Sequence, residues 1–213
     1  MKKLQLLGLL ALLTLPLIYQ LTPLEILKLK VFDVWVKEQP ASDLFVTLDI
    51  TEEDVQQEGG WPLPRQRLAE IHMDLLNRGA MGVGYVIAFS EPDRFGGDEQ
   101  FADVLGLYPS VIAMFETDNQ QYPQTTGTVI LGDDVGGVML QGATQNIDIL
   151  KQKAYQGISS APIDVDGLTR RLPLLMRTPD GWTPAFGIQI LKVLAQADTY
   201  VIKTNDNGLE EIR

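Results

Sequence analysis

The amino-terminal part of the chain is a long uncharged run. No charged residue lies between Lys3 and Glu25, and a helix of that length can cross the roughly 30 Å hydrocarbon core of a bilayer. Lys2 and Lys3 precede the run, and the positive-inside rule keeps such residues in the cytoplasm. Because a signal-peptide cleavage site needs small residues, and 17–21 contain none, we predict an uncleaved signal-anchor helix over residues 1–24. A cleaved signal peptide and a buried helix of a soluble protein are the alternatives.

A second helical pattern follows directly. Thr22 to Glu25 have the layout of a capping box with Pro23 at the first helical position. The apolar residues after it recur at helical spacing, namely Leu24, Leu27, Val31, Val34 and Trp35. We predict an amphipathic stalk helix over residues 25–40. It is either a core helix or a lever that joins the membrane to the domain, and one helix can be both.

Residues 41–213 alternate between strand-like and helical patterns. Apolar, β-rich runs at 44–50, 83–89 and 111–115 are separated by helical patterns that begin at Pro64 and Asp98. This order is typical of parallel strands joined by right-handed crossovers.

The second half of the chain has shorter runs. We predict short antiparallel strands at 129–131 and 138–140, and further strands at 171–177 and 199–203. Thr183 is the expected cap of a helix that starts at Pro184, and residues 205–208 form a hairpin turn. Because the chain reaches Arg213 soon after that turn, we expect the natural protein to continue.

These elements predict an α/β fold. We expect a mixed sheet with a parallel strand–helix–strand core plus antiparallel strands, preceded by the N-terminal membrane helix and the stalk helix. Residues 41–213 would form one extracytoplasmic domain.

Composition removes several classes of function. The chain has 17 Lys and Arg against 28 Asp and Glu, a net charge of −11, so it lacks the cationic surface that nucleic-acid binding requires. It has no Cys, which excludes disulfides, thiolate catalysis and Cys-based metal centres. The single His72 has no second His to complete a metal site or a catalytic triad. No cofactor, catalytic residue or metal site is therefore predicted.

Polar and acidic residues follow three of the predicted strands. They are Asp49, Thr51, Glu52 and Glu53 after the first, Ser90, Glu91 and Asp93 after the second, and Glu116 and Asp118 after the third. Ligands of open parallel sheets gather at the carboxyl ends of the strands. The rim could bind a divalent or organic cation through its oxygens, or it could be ordinary polar loops.

Two further strings carry unusual charge. Trp61 is a large aromatic residue in a Pro-rich loop, and Arg65 and Arg67 follow it in the first helical turn, where the macrodipole disfavours cations. We expect compensating carboxylates, with Asp49, Glu52, Asp164 and Asp166 as candidates, in a structural salt bridge or a ligand contact. The string Asp164–Arg171 is interpreted as a tight turn leading into a strand, with Arg170 and Arg171 paired to carboxylates.

An ordered set of strings resembles a known family. They are Phe32-Asp33, Val46 to Glu53, Gly60 to Arg65, Arg78 to Ala80, Phe89 to Asp93, Asp98, Asp164 to Gly167, Arg170 to Leu174 and Pro184 to Phe186. In their order and spacing, these strings resemble the second type of the extracytoplasmic CHASE domain (cyclases/histidine kinases associated sensory extracellular). It departs from the family pattern at Tyr85, where Asp is common, and at Thr51, where another acidic residue is common.

The resemblance implies a bacterial sensor input region rather than an enzyme. It implies further membrane helices and a cytoplasmic output, such as a nucleotide cyclase, histidine kinase or protein kinase. The expected location is the inner membrane, with the domain in the periplasm or outside the cell. The stimulus would be a small molecule or a protein, and a homodimer is left open. The alternative is a membrane-anchored periplasmic hydrolase that uses carboxylates, with or without a divalent metal.

Candidate ligand-binding residues are drawn from the rim, the Pro-rich loop and the Asp164–Arg171 string. They are Asp49, Glu52, Trp61, Arg65, Ser90, Glu91, Asp93, Asp166 and Arg170.

Overall fold

A computed structural model describes residues 22–37, 40, 42–123, 127–133, 136–205 and 208–213. The predicted membrane helix over residues 1–24 therefore lies outside the described residues except at its last three positions. The chain divides into two compact units. The first is Met1–Asp49 with Pro162–Arg170, and the second is Ile50–Ala161 with Arg171–Arg213.

The first unit contains the stalk helix, α1 (Thr22–Trp35), which begins at the predicted capping box. None of the helices in the described part of the chain is long and apolar enough to cross a membrane. The predicted strand over 44–50 is wrong, since this stretch has no regular structure after a turn. Leu44 and Val46 are 87% and 92% exposed, so the β propensity of these residues finds no neighbouring strand or core to pack against.

The parallel core predicted for the body is confirmed in the second unit. Its first sheet has the order β1-β2-β5 with all strands parallel, formed by β1 (Val83–Tyr85), β2 (Ser110–Met114) and β5 (Tyr155–Ile158). The central strand β2 is buried at every position, as expected for a parallel strand covered on both faces. Strand β5 falls in a region where the sequence pattern predicts none.

Four described helices of the second unit precede the strands of this sheet along the chain. They are α2 (Glu52–Gln57), α3 (Arg65–Asn77), α4 (Asp98–Leu105) and α5 (Asp148–Lys151). The starts of α3 and α4 agree with the predictions at Pro64 and Asp98. Thr51 caps α2 in a capping box, accepting from the Asp54 amide while Asp54 accepts from the Thr51 amide. This cap gives Thr51 a structural role at a position where it departs from the family pattern.

The described residues of the unit form two further three-stranded sheets, so they have a mixed α/β fold with three small sheets rather than one. They have the orders β3-β8-β9 and β4-β6-β7. Their strands are β3 (Thr128–Leu131), β4 (Val138–Met139), β6 (Leu175–Thr178), β7 (Gly181–Pro184), β8 (Tyr200–Asn205) and β9 (Gly208–Ile212).

The antiparallel assignment of the two short strands is wrong. Strand β3 pairs parallel to β8, and β4 pairs parallel to β6, because each meets a strand far along the chain instead of its neighbour. The antiparallel pairs are the hairpins β6–β7 and β8–β9. The last helix, α6 (Phe186–Leu194), starts later than predicted because Thr183 and Pro184 belong to β7.

Aromatic side chains fill the core beside the first sheet. Phe89 and Phe101 are fully buried, with ring centroids 5.4 Å apart in an edge-to-face arrangement. Tyr85 packs edge-to-face against Phe101 at 5.2 Å and stacks with the fully buried His72 at 5.9 Å. This cluster supports the loop that follows β1, where several candidate residues lie.

Candidate functional site

Arg170 is the centre of an ion-pair cluster in the first unit. Its Nε and Nη2 donate to the two carboxylate oxygens of Asp33 in α1, at 2.7 and 2.9 Å. Its Nη2 and Nη1 also donate to the two oxygens of Asp166, at 2.7 and 2.8 Å, and Nη1 donates to Asp164 at 3.1 Å. The Arg170 side chain is only 6% exposed. One guanidinium therefore joins a helix to a turn through three carboxylates.

The turn that carries this cluster has the predicted form. Asp166 Oδ1 accepts from the Leu168 amide at 3.3 Å, and Asp164 accepts through its carbonyl from the Gly167 amide at 2.9 Å. Gly167 has a φ of 84°, a backbone conformation that glycine adopts without steric cost. The prediction that Arg170 pairs with carboxylates is borne out, and Asp33 is a partner that the sequence pattern did not indicate.

Charge pairing perturbs the acid–base behaviour of the cluster. Hydrogen bonds from Arg170 lower the pKa of Asp166 to about 2, and the same guanidinium lowers the pKa of Asp33. Hydrogen bonds to Asp33 and Asp166 raise the pKa of Arg170 above its ordinary value. Asp33, Asp166 and Arg170 are therefore ionised at neutral pH.

Arg65 forms a second cluster, within the second unit. It is 5% exposed, and its guanidinium lies 4.5 Å from the centroid of the Phe89 ring. Its backbone N–H donates to Asp93 Oδ2 at 2.9 Å, and its Nη2 donates to the Glu91 carbonyl at 3.5 Å. Its Nε lies 3.6 Å from Asp98 Oδ1, and neither of these two buried atoms has a hydrogen-bond partner within the described residues. Arg65 thus joins the start of α3 to the loop after β1.

Asp93 organises that loop. Its carboxylate accepts from the backbone amides of Arg65, Phe95 and Gly97 at 2.9 to 3.1 Å. Burial alone would raise the pKa of Asp93, but these three amides and the charge of Arg65 lower it overall. For Arg65 the largest influence is burial, which lowers its pKa, while Asp98 and Asp93 oppose that shift.

The partners expected for the two arginines of the first helical turn differ from those observed. The Arg65 guanidinium pairs with Asp98 while its backbone amide donates to Asp93. Arg67 pairs with Glu58 and Glu70 at 2.9 and 3.0 Å. All of these carboxylates are nearer in sequence than the Asp164 and Asp166 pair, which Arg170 engages instead. Asp49 and Glu52 are exposed, and Glu52 lies in the first turn of α2.

The other candidates are exposed on loops. Trp61 is 54% exposed beside a cis peptide bond to Pro62, and Ser90 and Glu91 are exposed in the loop that Asp93 organises. The expected rim of three strand ends does not form as predicted, because 44–50 is not a strand and β1 ends at Tyr85. Among the described residues, no group of three or more His, Asp or Glu side chains is placed to hold a metal ion.

One buried polar residue, Asn146, was not indicated by the sequence. Asn146, 2% exposed, accepts from the Phe89 amide at 2.7 Å and donates to the Ala113 carbonyl at 3.1 Å and to Gln156 Oε1 at 3.0 Å.

His72 and Tyr85 form a second buried polar pair, in which His72 Nδ1 lies 3.0 Å from the Tyr85 hydroxyl. Burial lowers the pKa of His72 to about 4 and raises the pKa of Tyr85. Tyr85, which stands where the family commonly has Asp, is therefore a buried partner of His72 instead of a rim residue.

Comparison with protein families gives one match over most of the chain. The model of the CHASE2 domain matches residues 8–211. Comparisons with curated proteins and with solved structures gave no match. CHASE2 domains are sensory rather than catalytic, so the match does not support the hydrolase alternative. The chain belongs to the CHASE2 domain family, which comprises extracellular sensory domains of signalling proteins.

Proposed function

We propose that this chain is the sensory input region of a bacterial membrane-bound signalling protein, and that it transmits a stimulus by moving α1. The observation that carries the proposal is the Arg170 cluster, which holds Asp33 of α1 against Asp164 and Asp166 of the turn. The bidentate contact with a buried guanidinium fixes the position of Asp33, and its loss loosens α1. In this proposal, α1 is the lever that joins the membrane to the domain, one of the two roles expected from its sequence pattern.

The sequence before α1 supports attachment to the inner membrane. The uncharged run from Leu4 to Leu24 leads directly into α1, which begins at Thr22. Lys2 and Lys3 at the start of the run orient it with its amino terminus in the cytoplasm. The domain then lies in the periplasm or outside the cell, and a movement of α1 acts on the membrane segment without a long linker.

We further propose that the stimulus contacts the surface formed by the Trp61 loop and the loop after β1. Arg65 and Asp93 join these two loops from within, while Trp61, Ser90 and Glu91 are exposed. A rigid pair of loops with one exposed aromatic ring suits a small molecule or a protein segment, because little ordering entropy is lost on contact. Asp49 and Glu52, which are exposed, remain candidates on the sequence pattern alone.

The stimulus must discriminate between two arrangements of α1 in order to act. A ligand shifts an equilibrium only by its difference in affinity for the two states. The segment Pro162–Arg170, which carries Arg170, is continuous in sequence with Ala161 and Arg171 of the second unit. A stimulus that changes this segment therefore alters the Arg170–Asp33 contact and releases α1. The proposed output is a nucleotide cyclase, histidine kinase or protein kinase in the cytoplasm.

A topology experiment tests the location. A reporter enzyme that is active only outside the cytoplasm is fused after Arg213 of the full chain, and a second fusion carries a reporter that is active only inside. We expect activity from the first fusion and sedimentation of both proteins with membranes. Activity of the cytoplasmic reporter alone, or recovery of intact chain from the cytosol, would contradict the proposal.

A second experiment tests the lever. Since the chain has no Cys, spin labels can be attached to Lys30→Cys on α1 and Leu168→Cys on the turn, both at exposed positions. We expect a narrow distance distribution in the parent and a broad one after Arg170→Ala. A distribution that is equally narrow in both proteins would remove the Arg170 cluster from the mechanism.

A further inference from the structure

Helix α1 has two different faces. Leu29, 4% exposed, is its buried residue, and Asp33 lies one turn further on the same side, bonded to Arg170. Four apolar residues lie on the other side, with exposures of 47%, 59%, 53% and 83% for Leu24, Leu27, Val31 and Val34. At 3.6 residues per turn, the centre of these four lies roughly 180° from Leu29. We call these four residues the α1 seam.

The spacing of the α1 seam is that of a coiled coil. Leu24, Leu27, Val31 and Val34 follow each other at intervals of three, four and three residues, which are the a and d positions of two heptads. Leu29 then falls at position f, the point furthest from a coiled-coil interface. A helix that only packs on its own domain has a single apolar stripe facing inward, whereas α1 exposes its stripe on the outside.

We infer that the α1 seam binds the α1 seam of a second copy of this chain, in parallel. The seam is self-complementary, because it presents Leu and Val at both a and d. In the parallel arrangement Lys30, at position g, approaches Trp35, at position e of the following heptad. An antiparallel pair would instead bring Lys28 and Lys30 against the same residues of the other copy, where like charges repel.

The charge of α1 disfavours a lipid surface as the occupant of the seam. The helix carries two cations, Lys28 and Lys30, against two anions, Glu25 and Asp33. Helices that lie in a membrane interface draw much of their affinity from a cationic polar face. Here the opposing charges cancel, and Lys28 is paired with Glu25 at 3.4 Å. An apolar protein surface is the better match.

Tethering compensates for the short length of the seam. Two heptads are fewer than a stable coiled coil in solution requires. The uncharged run before α1, if it anchors the chain as in the proposed function, would hold two copies parallel in one membrane and raise their effective concentration. The affinity and the parallel orientation of the α1 pair therefore rest on the proposed function. The inference adds to that function a second copy of the chain as the partner through which α1 acts.

Disulfide cross-linking of the full chain in membranes tests the inference. Because the chain has no Cys, Leu27→Cys and Val31→Cys each carry a single thiol in the α1 seam. Phe32→Cys is the matched control, since Phe32 is 42% exposed but lies about 120° from the seam centre. Two thiols cross-link only when their backbones approach closely. We expect several-fold more cross-linked dimer at the seam positions than at the control position.

Two outcomes of the cross-linking would overturn the inference. The first is an equal yield of cross-linked dimer for Val31→Cys and Phe32→Cys. The second is no cross-linked dimer for either variant while an aqueous maleimide labels both thiols. Protection of the seam thiols from maleimide without cross-linking would assign the seam to lipid or to another protein. Adding Leu27→Glu to Val31→Cys should abolish the cross-link without changing the urea unfolding curve, because Leu27 is exposed in the single chain.

Membrane association is measured on the same samples. A chain that sediments with membranes but does not cross-link overturns the dimer and leaves the proposed function intact. A chain that is recovered from the cytosol contradicts the proposed function, whatever the yield of cross-linked dimer.

Discussion

Arg170 donates to both carboxylate oxygens of Asp33, a residue 137 positions earlier in the chain, at 2.7 and 2.9 Å. A bidentate contact of this kind needs the planar fork of a guanidinium. The same group also holds Asp166 and Asp164. Arg170 thus ties Asp33 of α1 to the turn, beside the packing of the buried Leu29, and substitution of Arg170 has specific consequences.

Replacing Arg170 by Lys should loosen α1 although the charge is kept. A lysine ammonium is a point charge without the fork, so it cannot hold the two oxygens of Asp33 and those of Asp166 together. We expect faster motion of a spin label at Lys30→Cys and a lower Tm. Arg78→Lys is the control, since its pair with Asp74 is exposed on both sides and surface pairs contribute about 0–1 kcal/mol. Equal behaviour of the two variants would refute the positioning role of Arg170.

The sequence predicts the parallel core well because burial leaves a strong signal there. The strand β2 is buried throughout and apolar after Ser110, and Pro64 and Asp98 mark the starts of α3 and α4. The stretch 44–50 has the same kind of composition but forms no strand, because strand formation depends on a partner as much as on propensity. The parallel pairing of β3 with β8 joins segments that no local pattern relates.

Site prediction succeeds where partners are close in sequence and fails where they are distant. The turn at Asp164–Gly167 and its ion pair with Arg170 follow from a local string. Asp33 lies in α1, 137 positions before Arg170. The charge pattern of α1 does not indicate that Asp33 has a buried arginine as its partner. The buried position of Asn146 also has no sequence signal, because a single amide between Gln145 and Ile147 forms no periodic pattern.

Replacing Arg65 by Ala should destabilise the second unit in the absence of any ligand. The variant leaves Asp98, whose side chain is 16% exposed, and Asp93 without their cation, and breaking a buried pair costs about 3 kcal/mol. Urea unfolding at pH 7 measures the change. Arg67→Ala is the matched control in the same helical turn, because Arg67 is 45% exposed, and it should have a much smaller effect. An Arg65→Ala protein as stable as the parent but deficient in signalling would make Arg65 a ligand contact.

Acidification should destabilise the protein through His72. Burial lowers the pKa of His72 from 6.5 to about 4, so between these values the unfolded chain binds more protons than the folded one. The free energy of unfolding therefore falls as the pH decreases from about 6.5 towards 4, by up to roughly 3 kcal/mol at about 1.4 kcal/mol per pKa unit. Urea unfolding at several pH values gives the slope.

The control for this pH dependence is His72→Phe, which removes the titrating group. Its free energy of unfolding should be nearly constant between pH 6.5 and 4.5. Below about pH 4 both proteins should lose stability, because Asp93 and Asp166 have lowered pKa values and their native pairing is lost on protonation. Parallel curves for parent and variant above pH 4.5 would show that another group causes the effect.

Replacing Asn146 by Ala should destabilise the second unit although Asn146 is not itself a candidate ligand residue. Its side chain satisfies the Phe89 amide and the Ala113 carbonyl, and each buried polar group left unpaired costs about 1–3 kcal/mol. We expect a loss of about 3 kcal/mol in urea unfolding. The control Asn119→Ala removes a similar pair of hydrogen bonds, with the Gln121 amide and the Ala143 carbonyl. Asn119 is exposed, so water can replace the first, and the Ala143 carbonyl still accepts from Gln145 Nε2 at 3.2 Å. If both variants lose the same free energy, the Asn146 bridge does not hold the loop after β1 to the sheet.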